Sequence, residues 1–315
     1  MPYRKKPLIV TSALIGLLTV HSFSSIQHAE AKTISPELQI GMFADAQYCQ
    51  CEPKFIPKYD SERFFMSTPA KMQQATSTLN RKKLDFNLQL GDTIDRDYHS
   101  FKTMIPLYNQ LKAPRYDVLG NHDFPNHDYS AMTALGMKHN YYSFVKKNIR
   151  FVVLDTNEIS TYANPKGSKL YNIAKSRLKK AKAAGAPYAY DYNGSVTKKQ
   201  LKWLDGTLNK AKHEKQQVIM ISHHPVYPLF TDNVLNYKEI LKIMDKYNNV
   251  QVYFNGHTHS GKYNVRRGVH YVNLKGMVET PEQNAYSVVK IYKNKMRIVG
   301  YGREETRTLN FRKIY

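Results

Sequence analysis

Apolar residues follow two rhythms along this chain. Short apolar runs lie at 38–44, 85–90, 115–119, 149–154, 217–222 and 250–254, and each is followed by Gly, Asp or a His-containing turn. That pattern predicts buried strands. Between the runs, apolar positions recur every three to four residues, which predicts helices over about 69–83, 101–112, 196–213 and 236–247. In the third of these, Leu201, Leu204 and Leu208 share one face with Trp203 beside them, so Trp203 is assigned to packing rather than to ligand contact. A strand pair is expected at 141–145 and 149–154. The Lys- and Ala-rich stretch 166–184 reads as a solvated helix or a mobile loop, and the tail 268–315 as several antiparallel strands. Alternating strands and helices predict an α/β fold, with two sheets face to face and helices outside.

The polar residues that end these runs carry the chemistry. Asp45 and Gln47 follow the first strand, Asp92 the second, Asn121 the third, His223 a later one, and His257 with His259 the last. Taken singly, an Asp at a strand end is ordinarily a cap or turn residue, and Gly-Asn-His-Asp is ordinarily a turn. Taken together, they are a set of oxygen and nitrogen donors at strand carboxyl ends, where open α/β sheets place their sites. Such a set suits two divalent cations acting on a phosphate ester. Asp92 is the natural bridge. Asp45, Gln47 and His259 would complete one metal, and Asn121, His223 and His257 the other. Mixed O and N donors without thiolate favour Mn, Fe, Zn or Co over Ca. His122, next to a ligand, is placed to act as general acid, with Asp95 orienting its ring and keeping it protonated. His224 faces the substrate or packs. Tyr48, Phe124 and Tyr227 adjoin the motifs as candidate base-stacking or packing residues.

Charge and cysteines change this picture in two places. The formal net charge is +22, which implies attraction to anions: phosphorylated substrates, nucleic acid or acidic lipid. A nucleic-acid partner is not favoured, because no aromatic and basic residues interleave as in a strand-binding platform. Arg4, Lys5 and Lys6 precede an apolar stretch from Leu8 to Val20, and Ala29-Glu30-Ala31 fits a cleavage site, so residues 1–31 are expected to be a signal peptide and the mature chain to be exported. The stretch is shorter than the roughly 20 residues of a spanning helix, and no second span is expected. Processing would lower the charge only from +22 to +20, so the basicity belongs to residues 32–315. Cys49 and Cys51 are the only cysteines. A bridge across one residue closes a very small ring, so they are expected to pack as small side chains near the site, with thiolate ligation ranked lower.

The motifs Asp-Ala-Gln, Gly-Asp-Thr-Ile-Asp, Gly-Asn-His-Asp, His-His-Pro and Gly-His-Thr-His resemble those of the calcineurin-like metallophosphoesterase superfamily over residues 38–302. The resemblance implies a four-layer αββα sandwich, a dinuclear site, and the same ligand and acid assignments. Most members have His where this chain has Gln47. Gln47 with Tyr48-Cys49, the Tyr141–Phe144 strand and the run Gly268–Thr280 are similar to the manganese-dependent ADP-ribose/CDP-alcohol diphosphatase branch, which implies Mn and a small nucleotide-type substrate. The neutral amide of Gln47 predicts looser holding of one metal. The alternatives are a secreted phosphomonoesterase or nuclease of the same superfamily, or a non-catalytic phosphate-binding module. The purple acid phosphatase pattern implies a tyrosine ligand that Gly-Asp-Thr-Ile-Asp, with Asp95, does not supply.

Overall fold

The central strands are buried at nearly every position because each is covered on both faces. In a computed structural model, which describes residues 1–3 and 35–314, the order is β1 (Leu38–Phe43), β2 (Lys54–Ile56), β3 (Ser61–Arg63), α1 (Thr68–Asn80), β4 (Phe86–Gln89), α2 (Phe101–Tyr108), β5 (Arg115–Asp117), α3 (Ser130–Leu135), β6 (Tyr142–Lys146) and β7 (Ile149–Val153). There follow α4 (Lys169–Ala183), α5 (Lys198–His213), β8 (Gln217–Ile221), α6 (Tyr237–Met244), β9 (Val250–Asn255), β10 (Tyr263–Arg266), β11 (Val269–Asn273), β12 (Ala285–Ile291), β13 (Lys295–Gly302) and β14 (Arg307–Asn310). The expected signal peptide lies outside the described residues, apart from its first three. Among the described residues, no helix is long and apolar enough to cross a membrane.

Two six-stranded sheets form, ordered β14-β13-β12-β1-β4-β5 and β10-β11-β9-β8-β7-β6. Their inner faces meet in one core, where Ile40, Phe86 and Leu88 of the first sheet pack against Phe151, Ile221 and Phe254 of the second. α1, α2 and α3 cover the outer face of the first sheet through Met72, Leu79, Met104 and Leu135. α5 and α6 cover the second through Leu204, Leu208, Ile240 and Met244. The result is the expected four-layer αββα sandwich. Trp203 packs half-buried against the α5 layer, in contact with Tyr141.

Register brings the strand ends together. β1 and β4 run parallel with Phe43 opposite Gln89, so Asp45 and Asp92 emerge side by side. β8 and β9 run parallel with Ile221 opposite Phe254, so His223 and His257 do the same.

Two expectations need correction, and one alternative is resolved. The tail is not one antiparallel group: β11 runs parallel to β9 in the second sheet, and 274–284 then crosses to the first. Local alternation cannot tell which sheet a strand joins. Of the two readings of 166–184, the helix is the one that forms: α4, capped by the Ser168 side chain accepting from the Tyr171 N–H. Cys49 and Cys51 are joined by a disulfide. A sharp turn holds their Cα atoms 5.2 Å apart, inside the ordinary bridging range, so ring size did not forbid the bond. Cys49 is buried against Phe65 and Val278, so part of the packing expectation holds, but neither sulfur remains as a thiolate ligand.

Candidate metal centre

All seven predicted donors converge below the carboxyl ends of β1, β4, β8 and β9. Five of them turn out of their strands in the left-handed region: Asp45 (φ 53°), Gln47 (45°), Asp92 (57°), His257 (68°) and His259 (61°). Non-glycine residues seldom sit there, and such conformations persist where the surroundings enforce them, typically at functional sites. The flanking glycines are a matter of space. A Cβ on Gly91 would lie 2.4 Å from His223 Nδ1, and one on Gly120 would lie 2.1 Å from Asp92 Oδ1.

Asp92 sits at the centre. One triad of donor atoms comes from Asp92, His223 and His257; a second comes from Asp45, Asp92 and His259, and within each triad the atoms lie within 4.8 Å of one another. The carboxylate proposed as a bridge from ligand type is therefore the one residue common to both triads. Asn121 joins the first, its Oδ1 being 3.1 Å from His223 Nε2. Gln47 joins the second side, donating from Nε2 to Asp92 Oδ2 at 2.9 Å. Gln47 Oε1, Asp45 Oδ2 and His259 Nε2 are buried without a hydrogen-bond partner. Leaving polar atoms of three donors of one site unpartnered is costly unless something binds them, and a divalent cation fits this mix of oxygen and imidazole donors.

The imidazoles are oriented from behind, as metal-ligating histidines are. His223 Nδ1 donates to the Leu90 carbonyl at 2.8 Å, leaving Nε2 for the site. His259 Nδ1 donates to Glu279 Oε1 at 2.8 Å, again freeing Nε2. His257 is reversed. Its Nε2 is 3.1 Å from Asn193 Oδ1, so Nδ1 faces the site, 3.2 Å from His223 Nε2. Two imidazole lone pairs aimed at one point need a positive charge between them.

Charge within the cluster tells the same story. Burial would raise the Asp92 carboxyl, but His223, His122 and His257 hold it well below the usual range. Against burial, Asp92 raises His223 to about 9. Against burial, Asp45 raises His259. Burial and the neighbouring imidazoles push His257 far down. The carboxylates thus draw protons onto imidazoles that a cation would displace.

His122 contacts Asp95 through Nδ1 and lines the cleft above the centre. The predicted pair is therefore formed. Burial lowers His122 against the pull of Asp92 and Asp95, and the contact with Asp95 orients the ring. His224 packs. It is fully buried, with Nδ1 2.8 Å from Thr156 Oγ1 and Nε2 donating to the Tyr192 carbonyl at 3.1 Å. Burial lowers it to about 3, so it stays neutral. Phe124 lies in the core, and Tyr48 and Tyr227 pack at its margins; none of the three lines the cleft.

Several residues of the site were not singled out from the sequence. Asp123 accepts from the backbone N–H groups of Asp92, Thr93, Ile94 and Gly120, at 2.8–3.3 Å, and so ties the second and third motifs together. Its place within Gly-Asn-His-Asp was the available hint. Glu279 is held in turn: Lys71 Nζ donates to the Met277, Glu279 and Thr280 carbonyls, and Arg303 to those of Gly276 and Glu279. The cleft, about 200 Å³, is rimmed by Lys54, Lys58, Arg63, Arg96 and Tyr192. Lys58 pairs with Asp232 at 2.6 Å and lies over the stacked rings of Tyr190 and Tyr192.

A family model described as calcineurin-like phosphoesterase matches residues 64–261, which is more than half of the chain. The chain belongs to the calcineurin-like phosphoesterase family. Its similarity to individual members extends almost end to end. It is 29% identical to the manganese-dependent ADP-ribose/CDP-alcohol diphosphatase of Homo sapiens, over 87% of this chain and 92% of that one. It is 28% identical to the protein of the same name from Bos taurus, over 87% and 94%. A dimetal phosphatase from Danio rerio shares the fold, with a TM-score of 0.81, 22% identity, and coverage of 88% of this chain and 100% of that one. The calcineurin-like fold, the donor set and these relatives make the protein a dinuclear metal-dependent phosphohydrolase.

Proposed function

We propose that the protein hydrolyses the phosphoanhydride bond of small nucleoside-diphosphate-linked substrates of the ADP-ribose and CDP-alcohol type, with manganese, after export from the cytoplasm. The observation that carries this reading is the pairing of two donor triads through Asp92 with a cleft walled by four cationic side chains. Asp45, Gln47, His259 and the shared Asp92 would hold one metal; Asn121, His223, His257 and Asp92 the other. Bound there, the metals supply a nucleophilic hydroxide near neutral pH and neutralise charge on the phosphoryl oxygens.

The chain's own residues do the rest. Lys54, Arg63 and Arg96 face the cleft and match a second phosphate, which a monoester lacks. His122 presents the ring nitrogen turned away from Asp95, where the leaving oxygen would form. An arriving anion favours its imidazolium, so the proton is on hand when substrate is bound. Tyr192 closes one side, its ring 5.7 Å from that of His257. Similarity to proteins named for this diphosphatase activity supports the substrate class. The signal-like N-terminus supports export, and the Cys49–Cys51 disulfide suits an oxidising compartment.

The test is an assay of the purified protein on ADP-ribose, CDP-choline, a phosphodiester and a phosphomonoester with Mn²⁺, Mg²⁺ and Zn²⁺. Diphosphates turned over fastest with Mn²⁺ is the expected result. Faster monoester or diester hydrolysis under every metal overturns the substrate class.

A further inference from the structure

We propose that the outward face of α4, continued by the first turn of α5, binds linear inorganic polyphosphate. Between Glu158 and Asp205 the sequence has ten Lys or Arg residues and one acid, Asp191. The structure gathers the lysines outside. Of α4, only Ala174 is fully buried; Leu170, Ile173 and Leu178 turn partly inward, and Lys175, Lys179, Lys180 and Lys182 are exposed. Lys198, Lys199 and Lys202 are exposed on α5. Among the described residues, none of these lysines has an ion-pair partner within 4.0 Å, whereas Lys210 farther along α5 pairs with Glu214 at 3.7 Å.

Solubility alone does not call for such a face. Lys175 with Lys179, and Lys198 with Lys202, stand four residues apart on a helix, where like charges repel. Interleaved Glu would solvate the helix equally well and relieve that repulsion. A partner that supplies the anions accounts for their absence from the chain.

The chemistry selects the kind of partner. Every exposed cation on the α4 face is a lysine, a compact point charge without the fork that grips one planar anion. Its half-buried apolar residues point away from solvent, so nothing on it would insert into a bilayer as an interfacial helix does. A chain of regularly spaced phosphates satisfies a row of point charges and gains from counterion release. The face also adjoins the cleft in sequence: nine residues after α4 ends at Ala183 comes Tyr192, at most about 30 Å away along the chain.

Long-chain inorganic polyphosphate is the probe. Its binding to the full-length protein is measured by fluorescence anisotropy across a salt series, beside single-stranded DNA and anionic phosphatidylglycerol vesicles. Two variants lose the same charge: K175Q/K179Q/K180Q/K182Q on the face, and K102Q/K138Q/K242Q/K293Q at scattered exposed positions. The face variant should bind polyphosphate at least about tenfold more weakly and reduce the slope of log K against log salt by about three. The scattered variant should stay near wild type, and K179Q/K180Q should fall between. Turnover of ADP-ribose, or of whichever small ester the protein hydrolyses, should match wild type in all three, reporting intact folding. Equal losses in both quadruple variants, no loss in the face variant, or tighter binding to vesicles or DNA than to polyphosphate would each overturn the proposal.

Discussion

The floor and the rim of the cleft are built on different principles. The floor donors hang from the ends of parallel strands in two packed sheets and are almost fully buried, and each histidine among them is fixed by a partner behind its ring. The rim comes from the β2–β3 hairpin, the β4–α2 connection that carries Arg96 and the 184–195 loop, and is cationic, aromatic and partly exposed. A rigid floor can hold two cations a few ångströms apart. A rim made of irregular chain can vary its charge and shape without disturbing that floor. Chemistry should therefore fail when the floor is changed, and selectivity should drift when the rim is.

The largest effect tests that division at its centre. Asp92→Asn removes the charge shared by both triads and should lower kcat by at least about a thousandfold, with loss of both metals by elemental analysis. Retention of two tightly bound ions would break the assignment of Asp92 as the bridge. His122→Ala should cost about a hundredfold or more in kcat while leaving metal content intact, which separates the acid from the ligands.

Glu279→Gln keeps a hydrogen bond to His259 but removes the charge. Metal affinity on the Asp45–His259 side should fall about 10- to 100-fold, read by titrating activity with Mn²⁺. An unchanged Mn²⁺ titration would show that the carboxylate only fills space. On the rim, Arg63→Ala should raise KM for a diphosphate about tenfold, the scale of one charge-assisted contact, and change kcat little. If kcat fell as far as with His122→Ala, the line between floor and rim would be wrongly drawn.

The smallest effect lies behind the floor. Burial lowers the Lys71 ammonium to about 7 from 10.5. Between those values the unfolded chain holds more protons at this position, so its contribution makes folding more favourable as pH rises through that window. Lys71→Met should flatten that rise, and should cost about 1–3 kcal/mol at pH 7 by stranding the carbonyls it binds. Chemical denaturation at pH 7 and pH 9 reads both effects.

Most of the floor was legible before any fold was known. A run such as Leu38–Ala44 announces a buried strand, and Asp45 at its end can be read as a donor because it recurs in kind after the later strands. Ligand type alone pointed to Asp92 as the bridge. The hairpin that carries Arg63 was not legible: β2 and β3 are three residues each, too short for an apolar rhythm. Glu279 lay within a stretch noted for its resemblance, yet nothing local tied it to His259, twenty residues away. Cys49 and Cys51 were misjudged from ring size, because the turn that sets their Cα separation is a property of the folded loop.

By itself, then, the sequence determined the alternation of strands and helices, the chemical identity of the metal donors and the class of reaction they serve. Those depend on residue type and short-range order, which the chain carries locally. Only the tertiary structure decided which imidazole nitrogen faces the centre, which cations wall the cleft, which sheet β11 joins, and that Cys49 and Cys51 close a bridge. The first three depend on pairings between residues far apart in the chain, fixed when the two sheets pack and bury the atoms that must find partners; the bridge depends on the turn that the folded loop imposes on two residues close in sequence.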